Sequence, residues 1–88
     1  MSWFKKFSEI MEKNNLKVNV KPPITEIYTK ISIPLFVVIP RFDGKYDVEC
    51  IGDGKIIVSE KDLTNEEKIK KIINECLKFV KSDTLEID

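Results

Sequence analysis

The chain has 88 residues, 42% hydrophobic and 34% charged, with 15 basic and 15 acidic residues and no net charge. That is enough for one hydrophobic core and too little for two, and it excludes a disordered acidic or basic tail. There is no His, Gln or Ala, which excludes His-dependent catalytic triads and most zinc sites.

Residues 2–14 read as a helix. Trp3, Phe4, Phe7, Ile10 and Met11 recur at spacings of three and four, with Ser2 as N-cap and Asn14-Asn15 as the stop. Leu16, Val18 and Val20 then alternate with Lys17, Asn19 and Lys21, the period of a strand with one wet face, and Pro22-Pro23 ends it. A second strand is expected from Ile27 to Ile33, with Ile27, Thr29, Ile31 and Ile33 on one face. After Pro34, the run Leu35 to Ile39 is apolar on both faces.

Asp43-Gly44 and Asp53-Gly54 suit two-residue hairpin turns, so Tyr46–Ile51 and Lys55–Ser59 continue a meander. With two-residue loops, Val37 faces Cys50 and Cys50 faces Ile57, while Ile39 faces Val48. Leu35, Val37, Ile39, Val48, Cys50 and Ile57 then share a core face. Pro40 objects, having no N–H for the ladder position opposite Asp47, so a wider first loop is expected.

Thr64-Asn65-Glu66-Glu67 reads as a capping box with Thr64 as N-cap. The following helix carries Ile69, Ile72, Ile73, Cys76, Leu77 and Val80 on one face and ends near Lys81. Residues 82–88 read as a tail in which Leu85 and Ile87 could add a short strand. The expected fold is a single α+β domain over residues 1–81: an antiparallel meander sheet of four to five strands, flanked by N- and C-terminal amphipathic helices.

Chemistry-bearing residues are sparse. Cys50 and Cys76 fall on inferred core faces, either as small buried hydrophobes or as a disulfide; without His or a CxxC pair they make a poor metal site. Asp43 and Asp53 are accounted for by turns, while Asp47 and Glu49 lie on an exposed strand face. Gly54-Lys55 lacks the upstream pattern of a phosphate loop. The reading is therefore a non-enzyme with no cofactor and no metal.

Residues 1–30 hold six Lys against three Glu, and residues 43–88 hold eight Lys against twelve acids. No block of like charge results, and these charges read as a solvated mixture. Lys outnumbers Arg fourteen to one and Ile occurs thirteen times, a profile compatible with an AT-rich or thermophilic source, archaeal among them. No apolar run approaches the roughly 20 residues of a membrane span, and no signal-peptide pattern is present, so the cytoplasm is the expected location. The Trp3, Phe4, Phe7, Met11 stripe is short and carries acids, which disfavours membrane-surface binding.

In the register above, the face opposite the core carries Phe36, Val38, Ile51, Ile56 and Val58. If both helices cover one side, this apolar patch is the candidate partner face, for a second copy or an extended client segment. The alternative partner is nucleic acid, held by Tyr28, Lys30, Phe36, Phe42, Lys45 and Tyr46 as a basic-aromatic sheet surface; the pI near 6.3 argues against it.

The run Ile33-Pro34-Leu35-Phe36-Val37-Val38-Ile39-Pro40, then Tyr46-Asp47-Val48, then Ile56-Ile57-Val58-Ser59, then a helix opening at Asn65-Glu66-Glu67-Lys68, resembles the small prokaryotic domains of the type III secretion chaperone-like superfamily. The likeness covers residues 3–81. It implies an antiparallel sheet with terminal helices, frequent dimerisation and, as in the chaperone members, binding of extended client segments. This chain has no helix between its strands where those folds insert one, so no functional residue is carried over.

Overall fold

A computed structural model of the chain describes residues 2–52 and 54–87. Helix α1 (Ser2–Lys13) leads into five strands, β1 (Leu16–Lys21), β2 (Ile24–Thr29), β3 (Pro34–Pro40), β4 (Lys45–Cys50) and β5 (Lys55–Ser59). Two helices follow, α2 (Glu60–Leu63) and α3 (Glu66–Ile87). The strands form one antiparallel sheet in the order β1-β2-β3-β4-β5, so β1 and β5 are its edges. The expected α+β meander with a helix at each end is the observed architecture.

Helix α1 forms because its apolar stripe finds a sheet to cover. Trp3, Phe7, Ile10 and Met11 are buried against Leu16, Ile27 and the central strands. It already includes Ser2, the expected N-cap. It ends where expected: the Asn14 N–H and side-chain amide both donate to the Ile10 carbonyl, and Asn15 takes a φ of 61°, the left-handed conformation Asn tolerates.

The hairpin loops depart from expectation in one consequential way. In the first, Arg41 N–H donates to the Lys45 carbonyl, leaving Phe42, Asp43 and Gly44 as a three-residue loop. Gly44 supplies the required positive φ of 81°, and Asp43 accepts from the Lys45 N–H. The first loop is thus wider, as expected, although Pro40 still pairs with Tyr46. In the second, Cys50 N–H donates to the Gly54 carbonyl, which again leaves three residues rather than two. Asp53, half of the expected Asp-Gly turn there, lies outside the described residues. The positive φ of this loop is at Gly52, 92°, and not at Gly54, where a Cβ would instead run into the Phe79 ring.

A one-residue difference in loop length reverses the facing of the attached strand, because side chains alternate with a period of two. Val48 and Cys50 face the core as expected, but they stand opposite Val38 and Phe36, not Ile39 and Val37. Across the second loop Val48 stands opposite Ile56. Strands β3 and β5 are therefore turned over relative to the sequence reading. Leu35 stays fully buried because the β2–β3 register shifts at Ile27/Tyr28. The second strand also starts and ends earlier than expected, leaving Ile31 exposed in the following turn.

Ser59-Glu60-Lys61-Asp62 contains the capping box, Ser59 accepting from the Asp62 N–H and Asp62 from the Ser59 N–H. It opens the short helix α2, which sequence reasoning missed and which buries Leu63 completely. Thr64 is the C-cap of that helix, its hydroxyl donating to the Lys61 carbonyl. Asn65 caps α3 instead, accepting from the Lys68 N–H at 3.2 Å. Helix α3 then runs past Lys81 to Ile87, so the backbone of 82–87 is helical and does not form the short strand.

Ile69, Ile72, Ile73 and Cys76 of α3 join the same core cluster as α1 and α2. All three helices thus cover one face of the sheet. Replacing an N-cap by Ala costs about 1 kcal/mol. Asn65→Ala is expected to lower the unfolding free energy by about that amount in urea denaturation, with Glu67→Ala producing a smaller loss; the reverse order would restore Thr64 as the cap.

Candidate functional site

The face expected to stay open does not. Phe36, Val38 and Val58 are 3%, 2% and 5% exposed and sit beneath the helices, Ile56 is half-buried against the same cluster, and Ile51 lies in the β4–β5 loop. The reason is the facing of β3 and β5 set by three-residue loops. Val37, Ile39 and Ile57, which the two-residue register placed inside, lie instead on the open face.

Three rows cross the middle of this open face, with Lys45 one row further out. Asn19, Glu26, Val37, Glu49 and Lys55 form one, each opposite the next. Lys21 stands opposite Ile24 on one side, while Ile39, Asp47 and Ile57 stand in line on the other. Lys17 stands opposite Tyr28. Ile24, Tyr28, Val37 and Ile39 are half-buried by their neighbours, and Ile57 is 53% exposed. The result is a shallow apolar centre within a charged frame, not a continuous greasy patch.

The charges are partly matched within the chain. Asp47 receives Arg41 at 3.5 Å and Lys55 at 3.3 Å, Glu26 receives Lys21 at 3.5 Å and the Asn19 amide at 3.1 Å, and Arg41 also reaches Asp43 at 3.1 Å. Among the described residues, Lys17 and Glu49 make no ion pair. Exposed pairs of this kind are worth little individually, but they fix where each sign sits on the face.

The other candidates separate in space. Of the basic-aromatic set, Tyr28 is on the open face, Phe36 is in the core, and Tyr46 is on the covered face with its ring 5.1 Å from Trp3. Lys30 follows β2, and fully exposed Phe42 tips the opposite β3–β4 loop. They form no common surface. Burial, reinforced by Glu60, raises the Tyr46 phenol above its ordinary value, so it stays neutral beside Trp3. Among the described residues no three His, Cys, Asp or Glu converge as a metal site. Nor is any helix there long and apolar enough to cross a membrane.

An apolar groove of about 400 Å³ lies at one end of the covered face, lined by Trp3, Phe4, Val20, Pro23, Pro40 and Tyr46 among others. Sequence reasoning missed it, because it forms where the start of α1 meets two hairpin ends and only the fold brings them together. Thr25 and Tyr46 are its hydroxyl-bearing side chains, and no catalytic pair converges there.

Cys50 and Cys76 are both buried and are joined as a disulfide, their Cα atoms 5.1 Å apart. The bond ties the end of β4 to the middle of α3 across 26 residues of sequence. A closed loop of that length contributes about 3 to 4 kcal/mol by restricting the unfolded chain. Reduction is expected to lower the denaturation midpoint accordingly, and the unreduced chain to take up no thiol-alkylating reagent even when unfolded. An unmoved midpoint with two alkylated thiols would contradict the pairing. No protein-family model, characterised protein or solved structure matches the chain.

Proposed function

We propose that this chain is a non-catalytic protein-interaction or assembly module working through the uncovered face of its sheet. The observation that carries this reading is the one-sided coverage: three helices share one face, while Ile24, Val37, Ile39 and Ile57 line the other. A sheet face with an apolar centre and a charged frame has the composition of a recognition surface, in which apolar contact gives affinity and the charges fix partner and register. The dispersal of carboxylates, hydroxyls and aromatic residues over separate parts of the molecule favours binding over catalysis. The resemblance to chaperone-like domains that dimerise and hold extended clients points the same way.

The test is recovery of the tagged chain from the cells that make it, beside a Val37→Asp/Ile57→Asp variant whose folding is checked by circular dichroism. The wild type is expected to elute above monomer mass with a polypeptide attached, whether a second copy or a client, and the variant to lose it. A bare wild-type monomer would overturn the reading. So would retained material that a nuclease releases, which would favour nucleic acid as the partner.

A further inference from the structure

We infer that the uncovered sheet face is occupied by a second copy of this chain, in a two-fold arrangement that lays β1 of each copy over β4 of the other. The inference rests on the interaction-module reading and names its partner. What carries it is the distribution of charge across the open face.

Strand β1 presents Lys17, Asn19 and Lys21 on this face and no acid. Strand β4 presents Asp47 and Glu49, with Lys45 one row further out. These two strands flank the apolar centre on either side of β2 and β3. A two-fold axis running along the strands between β2 and β3 exchanges β1 with β4 and β2 with β3. Rows are preserved by such a rotation, so each Lys21 comes over Asp47 of the other copy. Each Asn19 comes over Glu49, with Lys17 one row away and long enough to reach that carboxylate. Ile24 comes over Ile39, apolar on apolar, and Lys45 falls beyond the Lys21 row, opposite the Pro22-Pro23 turn.

Such a contact is isologous: each complementary pair occurs twice, which is the requirement of a closed two-fold dimer. An axis through β3 instead would place β1 over β5 and β2 over β4, bringing Glu26 towards the acids and lysine edges together. Like charges set opposite each other across an interface cost enough to reject that arrangement. Lys17, whose ammonium donates to the Ser32 hydroxyl at 3.2 Å, and Glu49 make no ion pair among the described residues, and they gain oppositely charged partners only in the first arrangement.

The experiment uses two charge reversals at these two exposed positions, Lys17→Glu and Glu49→Lys, in the full chain. Sedimentation equilibrium on the wild type is expected to show association towards twice 10.2 kDa. Each variant alone is expected to associate at least about tenfold more weakly, since every reversed contact sets like charges together twice. Mixed in equal amounts, the two variants are expected to recover wild-type association, because every contact in the mixed dimer is again between opposite charges. Wild type that remains monomeric at high concentration would overturn the inference, as would a dimer indifferent to both reversals. Neither result touches the broader reading, because a client lost on Val37→Asp/Ile57→Asp substitution would still be recovered from cells.

Discussion

The fold depends on the parity of two hairpin loops. Because strand side chains alternate, a loop of three residues in place of two turns the whole attached strand over. Phe42-Asp43-Gly44 and the connection from Cys50 to Gly54 both have this odd length. They decide that Phe36, Val38, Ile56 and Val58 join Val48 and Cys50 beneath the helices. By the same step they send Val37, Ile39 and Ile57 to the other side.

Coverage then follows from the helices. Short helix α2 seats Leu63 in the core immediately after β5, turning the chain back so that α3 lies over the same face as α1. The Cys50–Cys76 bond holds α3 to the end of β4. With the described apolar stripes of α1, α2 and α3 used on one side, the second face keeps a small apolar centre among paired and unpaired charges. Its arrangement, cationic along β1 and acidic along β4, gives it a sense of direction that a uniform patch would lack.

Much of this was legible in the sequence. The periodicity of Trp3 to Met11 and of Ile69 to Val80 located both long helices, and alternation located β1, while Asp43-Gly44 marked a real hairpin. Pro40 indicated a wider first loop but not its residue count, because Asp43-Gly44 serves a two-residue turn and a three-residue loop equally well through the same positive φ at Gly44, and in the second loop the positive φ falls at Gly52 rather than at the expected Gly54. That single ambiguity exchanged the buried and open sets, so Phe36, Val38 and Val58 were assigned to the wrong face. Pro40 gave the wider first loop correctly, but the core face was still written from the two-residue register, and nothing comparable flagged the second loop. Helix α2 had a signal, the Ser59-to-Asp62 spacing, but the competing Thr64-to-Glu67 spacing drew the capping box five residues downstream. Both Cys could be placed on core faces; their meeting depended on how α3 crosses the sheet, which no local pattern encodes.

The measurement closest to the centre of this account is the cross-strand Hα–Hα contact between β3 and β4, read by nuclear Overhauser effects. Since Arg41 and Lys45 form a hydrogen-bonded pair, Val38 and Val48 form a close non-hydrogen-bonded one, with Cα atoms about 4.5 Å apart. A strong Val38–Val48 Hα contact is the expected result. A strong contact between Ile39 and Val48 would restore the two-residue loop, return Val37 and Ile39 to the core, and remove the open face on which the functional reading stands.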